Sequence, residues 1–133
     1  MIAHGTFSVT AFEPADVAPA ICAGLPVGVA TIDKTFEGDV IGSSVAVFTS
    51  AFDQATGIGT YVALESFEGT LGEVHGSFSF VHVASTSGDD TSNETFFIVP
   101  SSGTGDLAGI TGNGMLAVVG DVHTIMFDYE LVE

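Results

Sequence analysis

Apolar and polar residues alternate along most of this chain in short runs, which turn-forming residues interrupt at short intervals. Strict alternation predicts a β-strand with one buried face, because successive side chains of a strand point to opposite sides. The run Phe7, Val9 and Ala11, with Ser8 and Thr10 between them, is typical. No window has the spacing of apolar residues expected of an amphipathic helix. The pattern therefore predicts an all-β protein.

Eight strands are predicted from these alternating runs and from the turn residues between them. They span 6–12, 27–37, 43–52, 60–68, 76–85, 94–99, a stretch that starts within 101–114 and ends at 119, and 123–132. The proline-rich segment 13–26 is predicted to be irregular, 87–93 to be a polar and mobile loop, and Gly120-Asp121 to be a tight hairpin turn.

Short connections between the eight strands favour a single antiparallel, up-and-down β-barrel over residues 1–133. Closure of the barrel removes the sheet edges that such an apolar chain would otherwise expose. A two-sheet sandwich is the alternative fold. An eight-stranded barrel is just wide enough to be filled with side chains or to hold one small ligand.

The chain carries one lysine or arginine against seventeen aspartates and glutamates, which gives a formal net charge of −16. Nucleic acids and anionic membrane surfaces are bound through basic residues, so neither is expected as a partner. The amino terminus lacks the pattern of a signal peptide, and no apolar run has the length of a membrane helix. The sequence therefore predicts a cytoplasmic protein.

Cysteine and histidine are too few and too scattered to predict a metal centre. The single cysteine, Cys22, excludes an intrachain disulfide, and the four histidines do not have the spacing of metal ligands. The glycine-rich run 101–109 lacks the lysine and the following helix of a phosphate-binding loop. No metal or other cofactor is expected.

Lys34, the only lysine, is the most informative position in the chain. It lies in the predicted strand 27–37, where it shares a face with Ile32 and Phe36. An ammonium group that points with apolar side chains needs a partner. We therefore expect an acidic or hydrogen-bonding side chain to meet Lys34 inside the barrel.

The same parity, applied to the other strands, predicts an aromatic interior with a few polar groups. Glu65 shares a face with Phe67, and His82 shares a face with Phe80. Apolar walls with a few convergent polar groups are typical of small-molecule sites. The residues predicted to contact a ligand are Lys34, Phe36, Tyr61, Glu65, Phe67, Phe78, Phe80, His82, Phe127 and Tyr129, and the catalytic candidates among them are Glu65, His82 and Tyr129.

We expect Lys34 and Glu65 to form an ion pair inside the barrel, with His82 or Tyr129 hydrogen-bonded nearby. Desolvation would otherwise lower the pKa of a buried lysine and remove its charge. The alternative is that the pair only fills and registers a plugged core.

Several motifs resemble a small bacterial family of unknown function. They are Lys-Thr-Phe-Glu-Gly-Asp at 34–39, 61–72, Gly-Ser-Phe at 76–78, 103–112 and Phe-Asp-Tyr at 127–129. The resemblance implies an eight-stranded barrel similar to plant allene oxide cyclase, a fold shared by dirigent proteins and by cyclases of natural-product pathways. Allene oxide cyclase holds a flexible lipid epoxide in an aromatic cavity where a carboxylate stabilises developing positive charge. Glu65 is the position in this chain that could take such a role.

Three functions follow from these observations. The first, which we favour, is binding of a small apolar ligand with a polar or anionic head that Lys34 would meet. The second is a cofactor-free isomerase or cyclase, and the third is a plugged barrel with a structural or interaction role. Since Phe97 and Val99 cannot face inward together with Phe96 and Ile98, apolar side chains lie outside, and a homodimer or homotrimer is expected.

Overall fold

The computed structural model describes residues 1–131, and these residues form nine β-strands and no helix. Val132, the last residue of the predicted eighth strand, lies outside the described residues. No helix within 1–131 could therefore cross a membrane. The strands are β1 (Ile2–Ala15), β2 (Val27–Gly38), β3 (Val40–Asp53), β4 (Ile58–Leu71), β5 (Val74–Ser87), β6 (Asp90–Ile98), β7 (Thr104–Gly105), β8 (Thr111–Val119) and β9 (Val122–Glu130).

The eight long strands form a closed antiparallel ring, in the order β1-β2-β3-β4-β5-β6-β8-β9. The ring closes because β9 pairs with β1, from Ile2 opposite Asp128 to Phe7 opposite His123. β7 is a two-residue addition beside β5. The predicted all-β fold of eight antiparallel strands is thus confirmed, and the connections are mostly hairpins between neighbours in the chain.

The strands extend further than the sequence predicted, most of all where β5 meets β6. The segment 87–93 is not a loop, because Gly88 and Asp89 form a two-residue turn and β6 begins at Asp90. Gly88 has a φ of +62°, the left-handed backbone that this turn requires at its first central position. The first six residues of β6 are exposed. They are polar because this part of the hairpin faces solvent on both sides.

Aromatic side chains fill one end of the barrel, which we call the closed end. It carries the turns at Asp39 and at Gly72-Glu73. Leu107 and Ile110, from the segment between β7 and β8, are fully buried there in the core. The phenylalanine rings of the core lie with neighbouring centroids 5.0–6.2 Å apart, and they are Phe36, Phe67, Phe78, Phe80, Phe96 and Phe127.

A row of glycines lets the strands bend and approach each other near the closed end. Gly42 on β3 is paired with Gly69 on β4, which is paired with Gly76 on β5. A Cβ atom on Gly69 would lie 2.0 Å from the carbonyl oxygen of Ile41, and its φ is +156°. The absence of a side chain is therefore required at this position.

Candidate functional site

Three polar side chains on neighbouring strands, Lys34, Ser44 and Glu65, form a largely buried polar layer next to the core phenylalanines. Lys34 Nζ lies 2.9 Å from Glu65 Oε1, and Ser44 Oγ donates a hydrogen bond of 2.6 Å to Glu65 Oε2. The side chains of Lys34 and Glu65 are 11% and 2% exposed. The predicted ion pair is present, and both side chains point inward as strand parity predicts.

Strand register places these three side chains together. Lys34 and Ser44 are directly opposite each other on β2 and β3, and Glu65 follows on the inward face of β4. The ammonium group also lies 4.6 Å from the ring centroid of Phe7, a favourable cation–π distance. Because Glu65 already neutralises Lys34, the lysine offers little net charge to an anionic ligand. Ser44 and Phe7 were not singled out from the sequence.

His82 lies between Tyr61 and Glu94 at the opposite end of the barrel, which we call the open end. Its Nε2 lies 2.9 Å from Glu94 Oε2, and its Nδ1 lies 3.5 Å from the Tyr61 hydroxyl. Because a carboxylate only accepts hydrogen bonds, Nε2 carries the hydrogen. Nδ1 of the neutral ring then faces Tyr61 as an acceptor, across a long contact.

A β-bulge directs Glu94 toward His82. The pairing of β5 with β6 shifts register between Val83 and Ser85, and Asn93 has a φ of +54°. Bulges commonly redirect a side chain at the rim of a barrel, and asparagine tolerates left-handed backbone. Strand alternation contains no signal for such an insertion, so the sequence did not identify Glu94.

Aromatic contacts at the open end hold the Tyr61 ring in place. Its ring stacks on Phe48 at a centroid distance of 5.2 Å and meets His82 edge-on at 5.4 Å. Burial raises the pKa of the Tyr61 hydroxyl, and the negative charge of Glu94 raises it further. Tyr61 is therefore a neutral hydrogen-bond donor at physiological pH.

A cavity of about 560 Å³ lies at the open end, beside this group. Its size is within the range of small-molecule sites. Phe7 connects its lining to Lys34 below. Among residues 1–131, no three histidine, cysteine or acidic side chains are placed to hold a metal ion. The cavity is lined by Phe7, Tyr61, His82, Asp89, Thr91, Glu94, Leu116, Ala117, Val118 and His123.

The residues predicted to contact a ligand divide into three groups. Tyr61 and His82 line the cavity, whereas Lys34 and Glu65 form the polar layer next to Phe7. The third group packs in the core, and it consists of Phe36, Phe67, Phe78, Phe80, Phe127 and Tyr129. Strand parity predicted the correct inward face for each of these residues but not its position along the barrel axis.

The expectation that His82 or Tyr129 joins the ion pair is wrong. His82 bonds to Glu94 and Tyr61 instead. Tyr129 lies at the closed end. Burial raises the pKa of its hydroxyl, and the charge of Asp39 raises it further.

Comparison with known proteins gives a family without an assigned activity. A family model described as "Protein of unknown function (DUF3224)" matches residues 3–129. A crystal structure of a DUF3224 protein of unknown function from Shewanella oneidensis MR-1 is similar, with a TM-score of 0.88 and 26% sequence identity. The match covers 100% of this chain and 98% of that one. No curated protein matches the chain.

Proposed function

Since the chain belongs to the DUF3224 family, whose function is unknown, we propose from its geometry that it binds a small, neutral or cationic apolar molecule at the open end of the barrel. The observation that carries this proposal is the cavity of about 560 Å³ between Tyr61, His82 and Leu116. The packed core leaves the open end as the place for such a ligand, rather than the full interior.

The lining combines apolar surface with several polar groups. Phe7, Leu116 and Val118 supply apolar surface, and the Tyr61 hydroxyl and the His82 ring supply polar groups. Because Glu94 fixes the orientation of His82, these polar groups are already arranged before a ligand arrives. Such preorganisation lowers the ordering free energy that binding must offset.

Charge around the cavity argues against the anionic head group that the sequence suggested. Asp89 and Glu94 lie on its rim, and Glu65 neutralises Lys34 beneath it. In a chain of net charge −16, an anion entering this end would meet repulsion from the rim and from the whole surface. A neutral or cationic ligand meets no such barrier.

Binding of two fluorescent dyes tests the proposal. We expect neutral Nile red to bind the full chain with one site per chain, and anionic anilinonaphthalene sulfonate to bind at least about tenfold more weakly. Leu116→Trp fills the cavity and should abolish Nile red binding. Ile41→Asp, exposed on the outside of β3 away from the cavity, is the control that should leave it unchanged. Equal binding of both dyes, or unchanged binding to Leu116→Trp, would contradict the proposal.

Proton-transfer catalysis is a second candidate, favoured by the order Tyr61–His82–Glu94. An isomerase removes a proton from one atom of its substrate and returns a proton to another. His82 Nδ1 can accept that proton while Glu94 stabilises the imidazolium, and Tyr61 can donate a hydrogen bond to the substrate oxygen. It belongs to the cofactor-free isomerase or cyclase class, the second of the three functions that the sequence suggested. Glu65 is less suited to it, since it does not line the cavity.

Deuterium exchange separates the two candidates. A catalyst of this kind should accelerate exchange of the α-hydrogens of cyclohexanone in D2O, followed by NMR. His82→Ala should abolish the acceleration while Nile red still binds. If the wild-type chain does not accelerate exchange above the uncatalysed rate, the catalytic candidate is excluded and only ligand binding is left as the proposed function.

A further inference from the structure

The middle of β3, β4, β5 and β6 presents no charged side chain on the outside of the barrel, although the chain has a net charge of −16. One row of paired side chains crosses all four strands, because Val47 lies opposite Leu64, Leu64 opposite Val81, and Val81 opposite Phe97. Val47, Leu64 and Phe97 are 50%, 48% and 40% exposed. Four apolar side chains thus form a continuous stripe on the outside of the barrel.

The neighbouring rows extend this surface without adding a charge. We define the uncharged face by four rows, which are Val45, Ser66, Ser79 and Val99; Val47, Leu64, Val81 and Phe97; Thr49, Val62, Val83 and Thr95; and Ala51, Thr60, Ser85 and Ser92. Carboxylates begin at its borders, with Glu68 on β4 and Asp33 on β2.

We infer that the uncharged face is the interface through which two copies of this chain form a dimer. Two chains of net charge −16 repel each other over most of their surfaces. Contact through the uncharged face avoids bringing carboxylates together. A basic partner would instead bind where the carboxylates are, so the observation favours a second copy.

The size of the face is close to that of a small two-fold interface. Four strands at a spacing of about 4.8 Å and four rows at about 6.8 Å cover about 500 Å², measured along the curved wall of the barrel. Projecting side chains increase the accessible area, which brings it toward the roughly 600 Å² per partner of the smaller stable interfaces. In a two-fold arrangement the Leu64 and Val81 side chains of both copies would meet near the axis, as in face-to-face sheet packing.

The mass of the full chain in solution tests this inference. We expect sedimentation and light scattering to give a dimer for the wild type at about 0.15 M salt. Leu64→Asp should weaken association at least about tenfold, because it buries two carboxylates beside the two-fold axis. Met115→Asp, equally exposed on the outside of β8, is the matched control and should remain dimeric.

Three further measurements make the test decisive. Phe97→Ser, which adds no charge, should also weaken the dimer, and cooperative thermal unfolding of diluted Leu64→Asp should show that the variant folds. Lower salt should weaken the wild-type dimer, because like-charged copies are then less screened. A monomeric wild type, or dissociation by Met115→Asp but not by Leu64→Asp, would overturn the inference. Nile red binding to monomeric variants reports on the cavity separately.

Discussion

The Lys34 ammonium and the Glu65 carboxylate stabilise the fold only while both are present. Glu65 is 2% exposed, and its two oxygens accept from Lys34 Nζ and Ser44 Oγ. Removal of the lysine would leave a buried carboxylate whose lost hydration is no longer offset by a cation. An acidic residue can therefore be buried in this core only with the lysine beside it, whether or not a ligand binds in the cavity.

A double-mutant cycle tests this interdependence. We expect Lys34→Met to lower the free energy of unfolding by about 3–5 kcal/mol, since it leaves Glu65 unpaired. Lys34→Met combined with Glu65→Gln should recover most of that loss, because the glutamine oxygen still accepts from Ser44. Urea unfolding at neutral pH measures all the variants. Equal stability of the single and double variants would contradict the interpretation.

The two tyrosines give a pH dependence whose sign can be worked out. Burial, followed by the charge of Glu94 for Tyr61 and of Asp39 for Tyr129, raises both pKa values above the ordinary 10.0. As pH rises through 10.0, the unfolded chain loses these protons first, so the free energy of unfolding falls until the folded pKa is reached. The stabilising contribution is complete below pH 10.0.

Tyrosinate absorbance measures this shift directly, because the chain has two tyrosines and no tryptophan. Tyr129→Phe leaves Tyr61 as the reporter, and we expect it to ionise above pH 10.0 in the folded protein. Adding Glu94→Gln should lower the pKa of Tyr61 only in part, since burial is the larger cause. Ionisation at or below pH 10.0 before unfolding would exclude the buried position of the hydroxyl.

Strand parity is the property that the sequence determines best at the level of the element. Lys34, Glu65 and His82 all face inward because alternation fixes the face of each strand residue. Alternation does not predict the position of a residue along the barrel axis, since this position depends on the tilt and register of all eight strands together. The sequence therefore could not separate the packed phenylalanines from the cavity lining, nor could it locate the bulge at Asn93 and Glu94.

The glycine row near the closed end gives a prediction about strand geometry. Gly69→Ala should lower the free energy of unfolding by roughly 2 kcal/mol or more, because its Cβ would overlap the Ile41 carbonyl at a strained φ. Gly28→Ala on β2, where a Cβ meets no atom within 4 Å, should change it by less than about 0.5 kcal/mol. Thermal unfolding of both variants checks the difference, and equal effects would rule out close strand approach at Gly69.

At the scale of the whole molecule, seventeen acidic residues against a single lysine give the chain a formal net charge of −16. Self-repulsion of this kind opposes the compact state, and the packed aromatic core must offset it. The same charge restricts what can approach, which is why the proposed ligand is not an anion and the proposed subunit contact avoids carboxylates. Stability, ligand choice and assembly should therefore all respond to ionic strength.

Thermal unfolding at two ionic strengths tests this argument for stability alone. Raising salt from about 0.01 M to about 0.15 M shortens the screening length from about 30 Å to about 8 Å. If screening relieves about 1 kcal/mol of repulsion, the Tm should rise by roughly 4 °C. Diluted Leu64→Asp removes any contribution from association, because dimerisation would itself raise the Tm. Sodium chloride and choline chloride should raise the Tm equally, since screening depends only on ionic strength. An effect of sodium chloride alone would indicate a bound cation and contradict the repulsion argument.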